Sequence, residues 1–296
     1  MNYPRALQFL PLVAALIFAT PLARSADADI LAALKAKGAE PVETKGALTG
    51  LSFKDCTGLT EADYQQIHQL THLKSLNFGK GFNDAGLKAL GTMPDLESLV
   101  TNGMDLTDEG VGVLANFPNL HTFALFHPGK GFTGTGLAAL AKLRLERLTV
   151  GGSLEFGDVA MAAVASLGTL KEFRTWHTGV TIDGIKKLPA LKGLTSLTLG
   201  QRLAHTPPTM LSDEALPVLA DCSSLETLNL QEARLTLGAL GQLKKLSKLK
   251  HLNLDGIDIP ESDVAALKSQ FTGVDVRWKA PDDVTKKRIG ELFGAK

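Results

Sequence analysis

Two dipeptides put an aromatic residue directly before a histidine, Phe126-His127 and Trp176-His177. Arg147 lies between them and Arg174 beside the second. Arg202 and His205 follow in an irregular stretch, GQRLAHTPPTMLSD. An aromatic ring offers an apolar face, a guanidinium a planar fork of donors, and an imidazole a charge that changes near neutral pH. Such a set suits recognition of a sugar ring, a peptide side chain or an acidic group. It does not suit catalysis. HExxH, CxxC and GxSxG are absent, and no Ser, His and acid fall into one register. His127 and His177 lack a third metal ligand, so no metal or other cofactor is expected. HPGKGFTGTG is glycine-rich and contains Lys130, but it lacks the spacing of a phosphate loop. Its GKGF core also occurs at Gly79–Phe82, which marks it as a repeated loop. The protein is therefore expected not to be an enzyme.

What must position these residues is a repeat. The phrase L-x-x-L-x-L recurs as LTGLSF from Leu48, LKSLNF from Leu73, LESLVT from Leu96 and LHTFAL from Leu120. It continues as LERLTV from Leu145, LKEFRT from Leu170, LTSLTL from Leu194, LETLNL from Leu225 and LKHLNL from Leu249, with a degenerate FTGVDV from Phe271. Successive starts are 25, 23, 24, 25, 25, 24, 31, 24 and 22 residues apart, so one structural unit repeats about every 24 residues. Each phrase alternates apolar and polar residues and reads as a short strand. Each is followed by a segment such as TDEGVGVLANFPNL, in which a capping residue precedes apolar positions three or four apart. That reads as a short helix. One strand and one helical turn cannot bury their own apolar faces, but stacked copies share a continuous core. Strands stack at ~4.8 Å, closer than helices can, so the stack curves with the sheet inside.

These phrases resemble the leucine-rich repeat family, and more narrowly the secreted bacterial variant with T-D-x-G-L-x-x-L convex segments. The resemblance covers about Leu48 to Trp278. It implies an α/β horseshoe with a parallel sheet on the concave face and short helices on the convex one. The family's usual Asn or Cys after the strand is clear only as Cys56, so looser turns are expected.

Counting each first Leu as zero, positions two, four and six point out of the sheet. Phe126 and Trp176 both occupy position six, and the repeat between them offers Gly151 and Gly152. Two strand steps span about 10 Å, which predicts a shallow slot with aromatic walls and a glycine floor. Arg147 and Arg174 lie along it. Two other readings stay open: Thr175 at a core position could bulge the strand and turn Trp176 inward, and Phe126 could lie under its own loop. The 31-residue step adds a loop on the same edge as the histidines, from which Arg202 and His205 could lean over the rim; it also reads as a tolerated surface loop stiffened by Pro207-Pro208.

Residues 1–25 carry Arg5, an apolar run and a small-x-small ending at Ala23-Arg24-Ser25, which reads as a secretory signal peptide. Its removal leaves 29 Lys+Arg against 31 Asp+Glu, a formal charge of −2, so nothing in the balance favours nucleic acid. No later stretch is long and apolar enough for a membrane span. Seven strand steps separate Cys56 from Cys222, about 30 Å at the usual strand spacing and too far for a disulfide. The expected organisation is a signal peptide over residues 1–25, an N-terminal cap helix within 26–45, nine or ten repeats over 46–278, and a C-terminal cap helix or tail over 279–296. The expected function is an exported, periplasmic or extracellular, monomeric recognition module. It would bind a protein or glycan through Phe126, His127, Arg147, Arg174, Trp176, His177, Arg202 and His205. The alternative is an envelope scaffold without a discrete site.

Overall fold

The computed structural model describes residues 21–203 and 209–294. Eleven strands form one sheet in strict chain order. They are β1 (Glu40–Thr44), β2 (Ala47–Asp55), β3 (Ser75–Lys80), β4 (Ser98–Asn102), β5 (Thr122–Phe126), β6 (Arg147–Gly151), β7 (Glu172–Trp176), β8 (Ser196–Gly200), β9 (Thr227–Gln231), β10 (His251–Asp255) and β11 (Asp275–Lys279). From β2 onward all pairings are parallel, and short α or 3₁₀ segments return the chain between strands. This is the stacked strand-and-helix solenoid expected from the periodicity, and the α/β leucine-rich-repeat fold that the resemblance implies.

The register follows from the leucines. Leu51, Leu76, Leu99, Phe123, Leu148, Phe173, Leu197, Leu228, Leu252 and Val276 stack as neighbours along the sheet and are all buried. Two residues on, Thr101 and Thr175 take inward positions otherwise held by apolar side chains, and both are fully buried. Each hydroxyl is satisfied: Thr101 Oγ1 donates to Met104 Sδ at 2.8 Å, and Thr175 Oγ1 lies 3.3 Å from Thr178 Oγ1. Strand β7 therefore needs no bulge to spare Thr175, and Trp176 stays on the outer face opposite Gly151 and Gly200. The GKGF loops plug the core, with Phe82 and Phe132 fully buried and Phe82 stacked on Phe78 at a centroid distance of 4.3 Å.

On the convex side the turns are tied by carboxylates. An Asp at or just before the start of one helix accepts from both the N–H and the hydroxyl of the Thr that caps the next. Asp84 takes Thr107 at 3.0 and 2.6 Å, Asp158 takes Thr181 at 2.7 and 2.6 Å, and Asp213 takes Thr236 at 2.8 and 2.7 Å. Thr107 and Thr236 in turn accept from the helical N–H groups of Gly110 and Ala239. The glycine three residues after the capping Thr is a steric need: a Cβ on Gly110 would lie 1.8 Å from Oδ1 of Asp84, the acid of the preceding repeat that binds Thr107. The turns are thus not loose. Linked Asp and Thr side chains supply bonds between repeats that the missing Asn would otherwise make.

Asp108 accepts four bonds from the next repeat, more than the two described for each of the other three. Burial opposes its ionisation, but the hydroxyl and N–H of Thr133 and the N–H groups of Gly134 and Gly136 outweigh that and hold its carboxyl below the ordinary carboxylate value. A depressed folded value means the contribution is complete above the unfolded value, about 3.9, and is lost as pH falls through the folded one. Asp108→Asn should lower stability by about 1–3 kcal/mol at pH 7, since charge-assisted bonds are replaced. The gap from wild type should shrink near pH 3. Urea midpoints at the two pH values measure this, and an equal gap at both would refute the assignment.

The ends are covered. A helix spans Pro21–Ala36, with Leu34 fully buried, and Lys37 binds Asp63 at 2.7 Å. Sequence periodicity gave no sign of β1, which pairs antiparallel with β2 through a two-residue turn, Lys45-Gly46, both residues at positive φ. Its Glu40 and Glu43 place charge on an open sheet edge, which discourages edge-to-edge pairing. At the far end the helix Asp283–Phe293, capped by Asp282, buries Ile289, and Arg234 donates to the Gly294 carbonyl. Among the described residues no helix is long and apolar enough to cross a membrane.

Candidate functional site

Phe126 ends β5 and Trp176 ends β7, both half-buried on the outer face. The slot expected between them is closed by the rings themselves. Their centroids are 5.9 Å apart with planes at 44°. The indole leans across β6: a Cβ on Gly151 would meet Trp176 Cε2 at 2.9 Å, and one on Gly200 would meet Trp176 Cβ at 2.6 Å. Glycine at both positions is what lets the indole lie down. Arg174, exposed on the same strand, holds its guanidinium carbon 5.5 Å from the Trp176 ring centre. Ring contact and cation–π contact are each worth about 0.5–1.5 kcal/mol. The result is a continuous aromatic and guanidinium surface on the concave face.

Arg147 is apart from this cluster. It sits at the other end of β6, where its Nε lies 3.6 Å from Glu172 Oε2. Beyond Trp176 the face turns polar. Asn253 Nδ2 donates to Asn229 Oδ1 at 2.7 Å and Asn229 Nδ2 to Thr198 Oγ1 at 2.9 Å. With Arg174, Gln231 and Asp255 these line a depression of about 280 Å³.

The second group of expected residues meets at the rim, where the strands end. The residue after each strand turns the chain, and Gly103, Gly152 and Gly256 do so at positive φ. Three repeats use side chains there instead: His127 at φ 48°, His177 at 53° and Glu232 at 59°. L-residues in this region carry strain of order 1 kcal/mol. The three side chains converge. His177 Nε2 lies 2.7 Å from Glu232 Oε2, His127 Nδ1 lies 3.2 Å from Asn102 Oδ1, and the His127 ring lies over Gly152. They border one cavity of about 340 Å³ with Arg202, Leu203, Thr285 and Arg288. Arg202 is held there by its neighbour Gln201. The buried Gln201 side chain donates to the Arg202 carbonyl and accepts from the N–H groups of Met210 and Leu211, pinning both ends of the inserted loop. His205 lies outside the described residues.

Sequence reasoning missed Glu232 and Arg288. Glu232 was within reach: counted from Leu225, it holds the position in its repeat that His127 and His177 hold in theirs. Arg288 was not, because its helix lies outside the repeat register.

Neither cysteine offers chemistry. Both are buried and free. Burial pushes the Cys56 thiol up to about 11 and the Cys222 thiol up to about 12, which keeps them protonated and poorly nucleophilic. Among the described residues no three His, Cys, Asp or Glu side chains are placed to hold a metal ion.

No protein-family model matches the chain, and no curated protein matches it in sequence. Among solved structures it is similar to an internalin C2 from Listeria monocytogenes, at 21% identity over 75% of this chain and 84% of that one, with a TM-score of 0.44. An internalin InlF from the same organism is 18% identical over 78% of this chain and 72% of that one, with a TM-score of 0.47. The Arabidopsis receptor kinase HAESA, solved with the peptide hormone IDA and the co-receptor SERK1, is 17% identical over 80% of this chain and 43% of that one, with a TM-score of 0.49. With one strand and one helical turn per repeat and its leucines in register along a single sheet, the chain has the fold of a leucine-rich-repeat protein.

Proposed function

We propose that this protein is a non-enzymatic recognition module that binds a protein partner on its concave face, centred on Phe126, Arg174 and Trp176. The observation that carries the reading is the indole laid across Gly151 against Phe126, with Arg174 over it. Trp and Arg side chains gathered at the centre of a rigid sheet are the composition of a binding hot spot. The polar surface around Asn229 and Asn253 supplies the rim that such a centre needs. The apolar run and small-x-small ending of residues 1–25 support export to the periplasm or the medium.

Capture from envelope and culture extracts tests this. Immobilised wild-type protein should retain a specific protein that a Phe126→Ala/Trp176→Ala variant, shown folded by circular dichroism, loses by about 30-fold or more, the size of a 2 kcal/mol hot spot. Retention of the same proteins by both would favour the scaffold reading, in which contact energy is spread over the whole surface. Capture of a polysaccharide instead of a protein would reassign the partner.

A further inference from the structure

We infer that the rim cavity bordered by His127, His177, Arg202, Glu232 and Arg288 is a site for a carboxylate group carried by a peptide segment of the partner. The inference rests on the partner-binding role proposed for the aromatic face, because His127 and His177 directly follow Phe126 and Trp176. A segment lying over the ring pair and running on in the strand direction reaches this cavity next.

The cavity is built from five separate parts of the chain. Two repeats give up glycine at a left-handed position to place His127 and His177 in it, and a third does so to place Glu232. Gln201 fixes Arg202 at the edge, and the C-terminal helix brings Arg288 from the end of the chain. Among the described residues neither guanidinium is in an ion pair, whereas the one acid of the cavity, Glu232, is held by His177 at 2.7 Å. The charge left unanswered is therefore positive. It is carried by guanidinium forks, whose planar geometry matches a carboxylate. Glu232 in the wall disfavours a doubly charged phosphate or sulfate.

The histidine ring signals of the protein, followed by NMR, report on the cavity. N-acetylglycine presents a main-chain terminal carboxylate, N-acetylglutamic acid α-amide a side-chain carboxylate, and N-acetylglycinamide none. The His127 and His177 signals should move saturably with at least one of the first two, with dissociation constants on the order of 1–10 mM as expected for a single small group. The better of the two identifies the carboxylate's source. The amide should have no effect. Arg202→Gln/Arg288→Gln should weaken the response at least tenfold while the signals of the other histidines stay in place, which shows the variant folded. Absence of a saturable shift overturns the proposal. So does an equal response to the amide or to sulfate, or an unchanged titration in the double variant. The titration does not involve the aromatic pair. Its failure with capture intact removes this site alone, and the reverse removes the aromatic reading alone.

Discussion

Phe82→Ala should lower the stability of the protein by about 3–5 kcal/mol, the usual loss when a fully buried phenylalanine is truncated. Phe82 is wholly inaccessible, stacks on Phe78 at 4.3 Å and meets Tyr64 at 5.8 Å. Phe53 extends the stack, 5.8 Å from Phe78. Few other atoms can move in to fill the hole, because each repeat touches only its neighbours. Phe82→Leu keeps most of the volume and should cost less than half as much. Lys80, exposed at the end of β3 in the same GKGF stretch, should be replaceable by Ala within about 0.5 kcal/mol. Urea unfolding followed by circular dichroism gives all three values. A loss below about 1 kcal/mol for Phe82→Ala would mean that the glycine-rich loop does not serve to plug the core.

Gly151→Val should abolish partner capture and leave the fold standing. The valine Cβ would lie 2.9 Å from Trp176 Cε2 and 3.0 Å from its Nε1. The indole must lift, and the contact with Phe126 opens. Gly151 lies on the outer face of β6, where valine suits a strand better than glycine, so stability should change by no more than about 1 kcal/mol. Binding should fall by about 30-fold or more, as expected when a hot-spot side chain is misplaced. The displaced indole should also alter the near-ultraviolet circular dichroism, to which Trp176 is one of only two tryptophan contributors. Undiminished capture together with a changed Trp176 signal would remove the indole from the binding surface.

The solenoid was legible because its cause is periodic. Leu76, Leu99, Leu148 and their equivalents must face one core, and a fixed spacing is the only way a chain of stacked units can arrange that. The outward register of Phe126 and Trp176 followed by counting. The distance between them did not. Spacing along the sheet locates backbones, whereas a large side chain beside two glycines lies across them and closes the gap. The strand β1 escaped because its signal is a turn, Lys45-Gly46, and not a leucine phrase. The Asp–Thr bonds between repeats escaped for a different reason. Each half reads as ordinary helix capping within its own repeat, and only stacking brings the Asp of one to the Thr of the next. Glu232 stands seven residues after Leu225, as His127 and His177 stand after Leu120 and Leu170, but Gln231 before it is not an aromatic residue that marks the place.

Photocrosslinking from the concave face addresses the central claim most directly. Benzoylphenylalanine would replace Thr149, which lies between Ala124 and Arg174 in the sheet beside the aromatic pair. The control would replace Val159, the 73%-exposed valine on a convex helix. Irradiation in the presence of envelope or culture extract should give a covalent adduct with a single protein from position 149 and none from position 159. An adduct formed only from position 159, or equally from both, would contradict a concave binding surface.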